Sequence, residues 1–337
     1  MRALLVGAGG MGRGWAKNLA SNPGTELAGW IDVREGAAEA AAAELGLGVG
    51  YTGTELEAAL RSVQPDFVVD VTPPEVHRDV TVAALGHGYP VLGEKPMAST
   101  MTEAREMVRA AEAAGKLYMV SQSRRYNGNA QGYRALISQT LGRLGILNVD
   151  FYMGAHFGGF RDTMPSPLVL DMAIHTFDMA RFLTGKDPVS VYAKEFNPHW
   201  SWYAGNACSQ CLFEMEEGLQ YNYRGSWCAE GCLTSWEGEW RAVGEKGTAK
   251  WDGFEAIHAE VVSKAGGFIS ECERVEGAPV EVRPGIEGSL DEFLGALRTG
   301  ATPMGECHDN IKSFAMVMAA YESALRGETV TIAEMLG

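Results

Sequence analysis

Residues 3–12, ALLVGAGGMG, decide the fold and stand at the start of the 337-residue chain. The apolar run 3–6 predicts a strand buried on both faces, and residues 15–20 continue at helical spacing. Between them, Gly7, Gly9 and Gly12 form the pattern G-x-G-x-x-G. We expect Gly7 to make a tight turn, Gly9 to let the backbone approach a pyrophosphate, and Gly12 to let the helix pack on the strand. The free N–H groups at the helix N-terminus then favour phosphate, with Gly10 and Met11 as neighbouring contacts.

The next predicted strand supports a dinucleotide site. The apolar run 27–31 ends at Asp32, which follows Gly12 by 20 residues. An acid at this place binds the ribose hydroxyls of a dinucleotide. The alternative for Asp32 alone is an ordinary helix N-cap. Its charge repels a 2′-phosphate and so favours NAD, whereas Arg34 could stack on adenine or accept that phosphate, which leaves NADP open.

Strand and helix patterns alternate as far as residue 120. Helices are predicted over residues 37–45, 56–62, 76–86 and 98–114, and further strands over 66–71, 90–92 and 117–120. Alternation at this spacing predicts an α/β fold with a doubly wound parallel sheet. Such a sheet binds its ligand at the carboxyl ends of the strands.

Two neighbouring strand ends carry unusual residues. TPPEVH follows one strand at 72–77, and GEKP follows the next at 93–96. Because loops at these ends hold the ligand in this architecture, we interpret several of their residues as candidate cofactor contacts: Thr72, Pro73, His77, Glu94 and Lys95. Lys95 is either a solvated surface charge or the donor of a hydrogen bond to a reacting oxygen.

Residues 167–183 predict a helix in the second half of the chain. Asp171, His175 and Asp178 stand at i, i+4 and i+7, so they are expected on one face. Two acids and a histidine among apolar residues are costly to bury without partners or a purpose. We interpret this face as catalytic; the alternative is a polar stripe satisfied by local hydrogen bonds.

Together these motifs resemble the glucose-fructose oxidoreductase, inositol dehydrogenase and rhizopine-catabolism family, Gfo/Idh/MocA. The resembling segments occur in family order over residues 1–185: 7–12, Asp32, 72–77, 93–96 and 171–178. Pro74 and Ser123 depart from the family, which often has Asn at both places. The resemblance implies a Rossmann NAD(P)-binding domain over 1–122. It also implies an α+β domain over 123–337, with a large open antiparallel sheet for substrate binding and oligomerisation.

The resemblance further implies an NAD(P)-dependent enzyme that moves a hydride between nicotinamide and a secondary alcohol or ketone. The substrate would be a sugar, a sugar derivative or a cyclitol such as inositol. His175 would be the general base, and Lys95 would donate a hydrogen bond to the same oxygen. Asp171 would bind a neighbouring hydroxyl or orient the histidine. Further candidate substrate contacts are Arg124, Arg125, Tyr126 and Arg161.

Two other functions remain as alternatives. One is a glycoside hydrolase of this fold that retains its NAD and acts by transient oxidation and elimination. The other is a non-catalytic regulator that senses NAD(P) or a sugar, although such proteins usually lose the lysine and the histidine. Three aromatic residues either stack on a sugar ring or pack in the core: Trp200, Trp202 and Tyr203.

Beyond residue 185 the hydrophobic pattern has a period of two. Segments 211–215 and 219–224 predict one hairpin, and 239–243 and 248–251 predict another. One face of the resulting sheet is expected to cover helices. The other face, rich in Trp and Tyr, is expected to be buried by a second subunit, which predicts a homodimer or homotetramer formed through this sheet.

Composition excludes several kinds of partner. The chain has 28 Lys+Arg against 43 Asp+Glu, a formal charge of −15, which disfavours nucleic acid and anionic membrane surfaces. We predict no targeting segment and no transmembrane segment, and the sparse cysteines indicate the cytoplasm. Cys208, Cys211, Cys228 and Cys232 have a zinc-like spacing. We nevertheless expect no metal, because Cys208 and Cys211 would point to opposite faces of a strand, and buried thiols are the preferred interpretation.

Overall fold

The computed structural model describes residues 1–337 and divides into two compact units. Unit 1 comprises residues 1–123 and 286–311, and unit 2 comprises residues 124–285 and 312–337. Residues 286–311, which the sequence division placed in the second domain, pack within unit 1. There the Phe293 ring lies 5.4 Å from that of Phe67, and Asn18 donates to the Ile286 carbonyl at 2.9 Å. Contacts between residues this far apart in the chain leave no pattern in the local sequence, so the sequence did not predict this division.

Unit 1 is built by strict alternation of strands and helices. Its elements up to residue 120 are β1 (Arg2–Val6), α1 (Gly10–Ser21), β2 (Glu26–Ile31), α2 (Ala37–Leu45), β3 (Tyr51–Gly53), α3 (Leu56–Val63), β4 (Phe67–Asp70), α4 (Pro74–Gly86), β5 (Val91–Gly93), α5 (Met101–Ala114) and β6 (Tyr118–Val120). The strands form one parallel sheet in the order β3-β2-β1-β4-β5-β6. The prediction of a doubly wound parallel sheet is therefore confirmed.

Helix ends in unit 1 follow local sequence signals. Thr100 caps α5, because its hydroxyl accepts from the Glu103 N–H while the Glu103 carboxylate accepts from the Thr100 N–H. The predicted α2 agrees with the structure at both ends. The short strand β3 was not predicted, since its three residues include a glycine and give no usable periodicity.

Unit 2 combines helices with a large sheet. The remaining elements of the chain are α6 (Gly128–Thr140), β7 (Leu144–Tyr152), α7 (Ala173–Thr184), β8 (Pro188–Phe196), β9 (Cys208–Met215), β10 (Gln220–Ser226), β11 (Glu239–Gly244), β12 (Gly247–Trp251), β13 (Ile257–Lys264), β14 (Glu271–Glu276), α8 (Gly285–Thr299), α9 (Cys307–Arg326), β15 (Val330–Thr331) and α10 (Ile332–Leu336). Of these, almost all of α8 and the first residues of α9 belong to unit 1.

The sheet of unit 2 has nine strands in the order β14-β13-β12-β11-β7-β10-β9-β8-β15. Both predicted hairpins are confirmed, since β9 pairs antiparallel with β10 and β11 with β12. However, β10 runs parallel to β7, so the sheet is mixed rather than purely antiparallel. The strands of this parallel pair are far apart in sequence, which explains why hairpin signals did not reveal it.

Most aromatic residues of the sheet lie on the face that the helices of unit 2 cover, although Tyr192 and Phe196 are exposed on the other face. Tyr223 packs edge-on against Phe177 of α7 at 5.2 Å, and Trp251 lies 5.8 Å from Tyr133 of α6. The prediction that a second subunit buries the Trp- and Tyr-rich face is therefore wrong. The opposite face carries polar residues together with exposed apolar ones such as Leu212, and it holds an open groove of about 800 Å³ lined by residues such as Arg224. A period of two tells which residues share a face, but it does not tell which face the chain's own helices cover.

Candidate active site

The glycine turn after β1 is tightly packed on one side and open on the other. Gly7 has a positive φ of 105°, and a Cβ there would lie 2.8 Å from the Val71 carbonyl oxygen. A Cβ on Gly12 would lie 2.2 Å from the Gly7 carbonyl oxygen. In contrast, a Cβ on Gly9 or Gly10 would meet nothing within 4 Å. No side chain caps the start of α1, so its first N–H groups are available to a pyrophosphate.

Asp32 lies beside this turn as a charged group. Its carboxylate accepts from the Ala8 N–H at 2.7 Å and from Arg34 Nε at 2.8 Å. The hydrogen bond from the Arg34 side chain is the main cause that lowers the pKa of Asp32 to about 2. Helix α2 begins later, with Gly36 at its N-cap, so Asp32 is not a helix cap. A buried carboxylate at the end of β2, next to an open glycine turn, fits the ribose of NAD.

His77 ties the two predicted strand-end loops together. Its Nε2 lies 2.7 Å from the Thr72 carbonyl oxygen, and its Nδ1 lies 2.9 Å from the Pro96 carbonyl oxygen. Both partners are backbone carbonyl oxygens, one in each loop. The Asp70 carboxylate accepts from Thr72 Oγ at 2.6 Å and fixes the same loop. His77 therefore positions the loops that the sequence assigned to cofactor binding.

Glu94 and Lys95 follow β5 directly. Glu94 is buried, accepts from Trp15 Nε1 at 2.7 Å and from the Lys95 N–H at 3.2 Å, and its burial raises its pKa. Both of its oxygens are thus engaged within unit 1. Lys95 is half-buried, and the peptide bond to Pro96 is cis. Of this pair, Lys95 remains the candidate for contact with a ligand.

Asp171 and His175 stand on one continuous helical segment of unit 2, whereas Lys95 belongs to unit 1. The segment begins with a π-helical turn, Leu168–Met172, and continues as α7. Turns of this type are rare and often mark functional sites. Asp171 lies within the turn and accepts from Arg161 Nε at 2.6 Å. His175 lies in the first turn of α7, with 9% of its surface exposed.

Asp178, the third polar residue of the segment, serves a different purpose. Its carboxylate accepts from Arg125 Nε at 2.8 Å, from a second Arg125 nitrogen at 2.6 Å, and from Ser313 Oγ at 2.6 Å. Both members of the ion pair are almost completely buried. The prediction of a single catalytic face is therefore corrected for Asp178, and Arg125 is its structural partner rather than a substrate contact.

Arg124 and Tyr126 lie in a short 3₁₀ turn, Ser123–Tyr126. Arg124 donates to the Trp236 carbonyl and lies 3.8 Å from the Glu237 carboxylate. Burial lowers the pKa of Arg124 and raises that of Glu237. Tyr126 is buried. Sequence reasoning missed Glu237, because nothing local connects it to an arginine more than a hundred residues earlier.

The aromatic candidates have different surroundings. Trp200 is 63% exposed, whereas Tyr203 is buried and stacks on Trp227. Trp202 stacks on the His156 ring at 3.7 Å. Core packing therefore accounts for Tyr203, and Trp200 is the one of the three that is open to a ligand.

The guanidinium of Arg161 lies over two aromatic rings. Its central carbon is 5.0 Å from the Phe157 ring centre and 4.7 Å from that of Phe160. These contacts, together with the hydrogen bond to Asp171, hold the guanidinium in place. Arg161, a predicted substrate contact, is thus positioned to orient Asp171.

The cysteines with zinc-like spacing do not converge. Cys208 Sγ lies 3.7 Å from Cys228 Sγ, whereas Cys211 points to the other face of β9, beside Ser209 Oγ at 3.3 Å. The prediction of opposite faces is confirmed. Cys232 is exposed, so the buried-thiol interpretation is wrong for that residue.

No helix of the chain is long and apolar enough to cross a bilayer.

Comparison with known proteins identifies the family. Residues 1–122 match the model of the oxidoreductase family with an NAD-binding Rossmann fold, and residues 101–250 match the GFO/IDH/MocA C-terminal domain. Uncharacterized protein y4oX of Sinorhizobium fredii is 29% identical over 99% of this chain and 96% of its own length. Inositol 2-dehydrogenase 1 of Paenarthrobacter aurescens is 30% identical over 65% of each chain.

A solved structure shares the fold over the whole length. An oxidoreductase from Agrobacterium radiobacter, crystallised with NAD⁺, L-tartaric acid and magnesium, superposes with a TM-score of 0.86. The match covers 100% of this chain and 99% of the other, at 24% identity. With family models that together span residues 1–250, the chain belongs to the Gfo/Idh/MocA family of oxidoreductases, and its first 122 residues form an NAD-binding Rossmann domain.

Proposed function

We propose that the protein is an NAD-dependent dehydrogenase that interconverts a secondary alcohol and a ketone on a sugar, a sugar derivative or a cyclitol. The observation that supports this most directly is the arrangement around Asp171 and His175. An almost buried imidazole follows, by one helical turn, a carboxylate that an arginine holds in place. A base shielded from water beside an oriented carboxylate is suited to removing a hydroxyl proton.

In the proposed reaction, NAD supplies the hydride acceptor when bound, and the side chains handle the proton and the charge. His175 takes the proton of the reacting hydroxyl. Lys95 donates a hydrogen bond to the same oxygen and stabilises its negative charge as the proton leaves.

Asp171 is proposed to bind the neighbouring hydroxyl or to orient His175. Arg161 Nε engages one carboxylate oxygen at 2.6 Å, while its nearest nitrogen to the other oxygen is 3.5 Å away. The second oxygen therefore keeps most of its capacity to accept a further hydrogen bond. We assign Arg161 the positioning of this carboxylate, and Arg124 and Tyr126 remain proposed substrate contacts.

NAD is proposed as the preferred cofactor over NADP. The charge on Asp32 repels a 2′-phosphate at the ribose. Arg34 is committed to the Asp32 carboxylate through two nitrogens, at 2.8 and 3.0 Å. Binding a 2′-phosphate through Arg34 would therefore require this ion pair to break.

A panel of sugars and cyclitols, assayed for NADH formation with NAD and with NADP, tests the proposal. Once the panel has identified an active substrate, His175→Ala is expected to abolish turnover and leave NAD affinity unchanged, because the histidine belongs to unit 2. His87→Ala, at an exposed position in unit 1, is the matched control. Unchanged turnover in His175→Ala would overturn the assignment of the base.

The same panel separates the alternatives. Cleavage of a chromogenic glycoside without net NADH formation would favour the NAD-retaining hydrolase. Binding of NAD or of a sugar without any turnover would favour a sensing protein. Both Lys95 and His175 are present, which favours catalysis over sensing.

We also propose that the chain forms a homodimer or homotetramer in the cytoplasm through the exposed face of its large sheet. This face carries an exposed apolar residue, Leu212, amid polar pairs such as Arg224 with Asp150 at 2.6 Å. All six cysteines are free thiols, which suits a reducing compartment. Light scattering tests the assembly: Leu212→Glu is expected to yield monomers, and Leu325→Glu, exposed on α9, is expected to leave the assembly intact. A monomeric parent protein would contradict the proposal.

A further inference from the structure

Three consecutive residues at the start of α9 bring three different metal-ligating atoms together. Glu306 Oε1 lies 2.8 Å from His308 Nδ1 and 3.0 Å from Cys307 Sγ. The Cys307 Sγ and His308 Nδ1 atoms are 3.6 Å apart. All three residues belong to unit 1 and are absent from the sites assigned above to NAD and substrate. We propose that Glu306, Cys307 and His308 bind one zinc ion.

The distances suit a tetrahedral ion after small movements. Zinc bonds of about 2.0–2.3 Å at tetrahedral angles separate neighbouring ligand atoms by roughly 3.3–3.7 Å. The observed separations of 2.8, 3.0 and 3.6 Å lie within about half an ångström of that range. Rotation of the exposed His308 side chain and small shifts of the Glu306 carboxylate accommodate the difference.

The donor types select zinc among the common ions. A thiolate, an imidazole and a carboxylate form a mixed S, N, O set, which zinc binds readily, whereas magnesium and calcium prefer oxygen donors alone. Cys307 is completely buried, but His308 is largely exposed. Solvent therefore reaches the cluster from the histidine side, and a water molecule completes the fourth position.

The surroundings hold two of the ligands in place. The second Glu306 oxygen, Oε2, accepts from the His308 N–H at 2.9 Å, which leaves Oε1 directed at the cluster. His308 Nε2 lies 2.9 Å from Glu112 Oε1, on α5. A carboxylate behind a histidine fixes the tautomer that presents the other nitrogen to a metal, and this arrangement recurs in zinc proteins.

The charge balance also favours a cation. A helix N-terminus carries about half a positive charge, which opposes a bare cation. The cluster offsets this with the carboxylates of Glu306 and Glu112 and, once zinc replaces the thiol proton, with the thiolate of Cys307. That proton passes to solvent. The ion would then connect the end of α5 to the start of α9 within unit 1.

Zinc binding to the full-length chain, stripped with a chelator and assayed without substrate, tests the proposal independently of the dehydrogenase. Equilibrium dialysis is expected to give one zinc ion per chain. His308→Gln, at an exposed position that folding tolerates, is expected to weaken binding by roughly 100-fold or more, and Glu112→Gln by about 10–100-fold. Cobalt in place of zinc is expected to show a thiolate charge-transfer band that Cys307→Ser removes.

Two cysteine variants are the matched controls. Cys272→Ser removes an exposed thiol, and Cys228→Ser removes one member of the buried pair with Cys208. Both are expected to keep full zinc affinity. Loss of binding in Cys228→Ser, unchanged binding in His308→Gln, or no zinc uptake by the parent chain would overturn the proposal and leave the cluster as a hydrogen-bonded helix cap.

Discussion

Asp171 and Asp178 lie on one helical segment and each binds an arginine, but their environments differ sharply. The Asp178 and Arg125 side chains are 3% and 6% exposed, whereas those of Asp171 and Arg161 are 18% and 30% exposed. Asp178 also accepts from Ser313, and so uses both of its oxygens within the protein. The same pair of residue types thus forms a structural anchor at one place and an accessible carboxylate seven residues earlier.

This difference limits what the spacing of polar residues along a helix can predict about their roles. A spacing of i, i+4 and i+7 places three side chains near one another, but the partners that come from elsewhere in the chain decide their roles. Arg125 and Ser313 together engage both oxygens of Asp178. Arg161 satisfies one oxygen of Asp171 and leaves capacity on the other.

The largest expected effect is on stability, in Asp178→Ala. Removing this carboxylate leaves the buried Arg125 guanidinium without its counter-charge, which typically costs about 3–5 kcal/mol of unfolding free energy. Asp171→Ala, at the more exposed pair, is expected to cost about 1 kcal/mol or less. Urea unfolding of both variants measures the contrast. Equal losses would show that the two pairs do not differ as their burial indicates.

The next effect is on activity, in Asp171→Asn. This change keeps the shape of the side chain but removes its charge, and we expect kcat/KM to fall about 100-fold, or about 2.7 kcal/mol, with stability nearly unchanged. Glu214→Gln, on the exposed face of β9, is the control. Arg161→Ala is expected to lose less than Asp171→Asn. A larger loss in Arg161→Ala would assign the direct substrate contact to the arginine instead.

What could be predicted from the sequence depended on how local the cause was. The glycine turn and both hairpins are specified by residues close together in the chain, and each was predicted. Arg125 and Asp178 are separated by 53 residues, and no periodicity connects them. The π-helical turn at Asp171 was also missed, because its apolar residues satisfy an ordinary helical pattern equally well.

A third acid near this segment, Glu195, has no cationic partner. Its titration therefore extends the comparison to a pH-dependent measurement of stability. Glu195 on β8 accepts from Ser166 Oγ at 2.8 Å, just before the π-helical turn, and burial raises its pKa from 4.5 to about 7. Between pH 4.5 and about 7, Glu195 is therefore mostly protonated in the folded state but ionised in the unfolded state. Stability contributed by this group is present below pH 4.5 and falls as the pH rises towards 7.

Glu195→Gln removes this titration. We expect the variant to be more stable than the parent by about 1–3 kcal/mol at about pH 8, and equally stable at about pH 4. Urea unfolding at both pH values measures it. A gain that is the same at both would show that the substitution acts through packing and that Glu195, like Asp178, is fully satisfied.

The smallest expected effect extends the comparison to the Asp32 and Arg34 pair of unit 1, in which the acid is buried and the arginine is 65% exposed. Asp32→Ala removes the charge that repels a 2′-phosphate and frees Arg34 to bind one. We expect the ratio of kcat/KM for NADP to that for NAD to rise about tenfold, or about 1.4 kcal/mol. Glu35→Ala, which removes an exposed negative charge nearby, is the control for the effect of the overall charge on this ratio. If both variants changed the ratio equally, the preference would come from the overall negative field; if neither did, Asp32 would serve to hold the backbone N–H groups of Ala8 and Arg34 within its own unit.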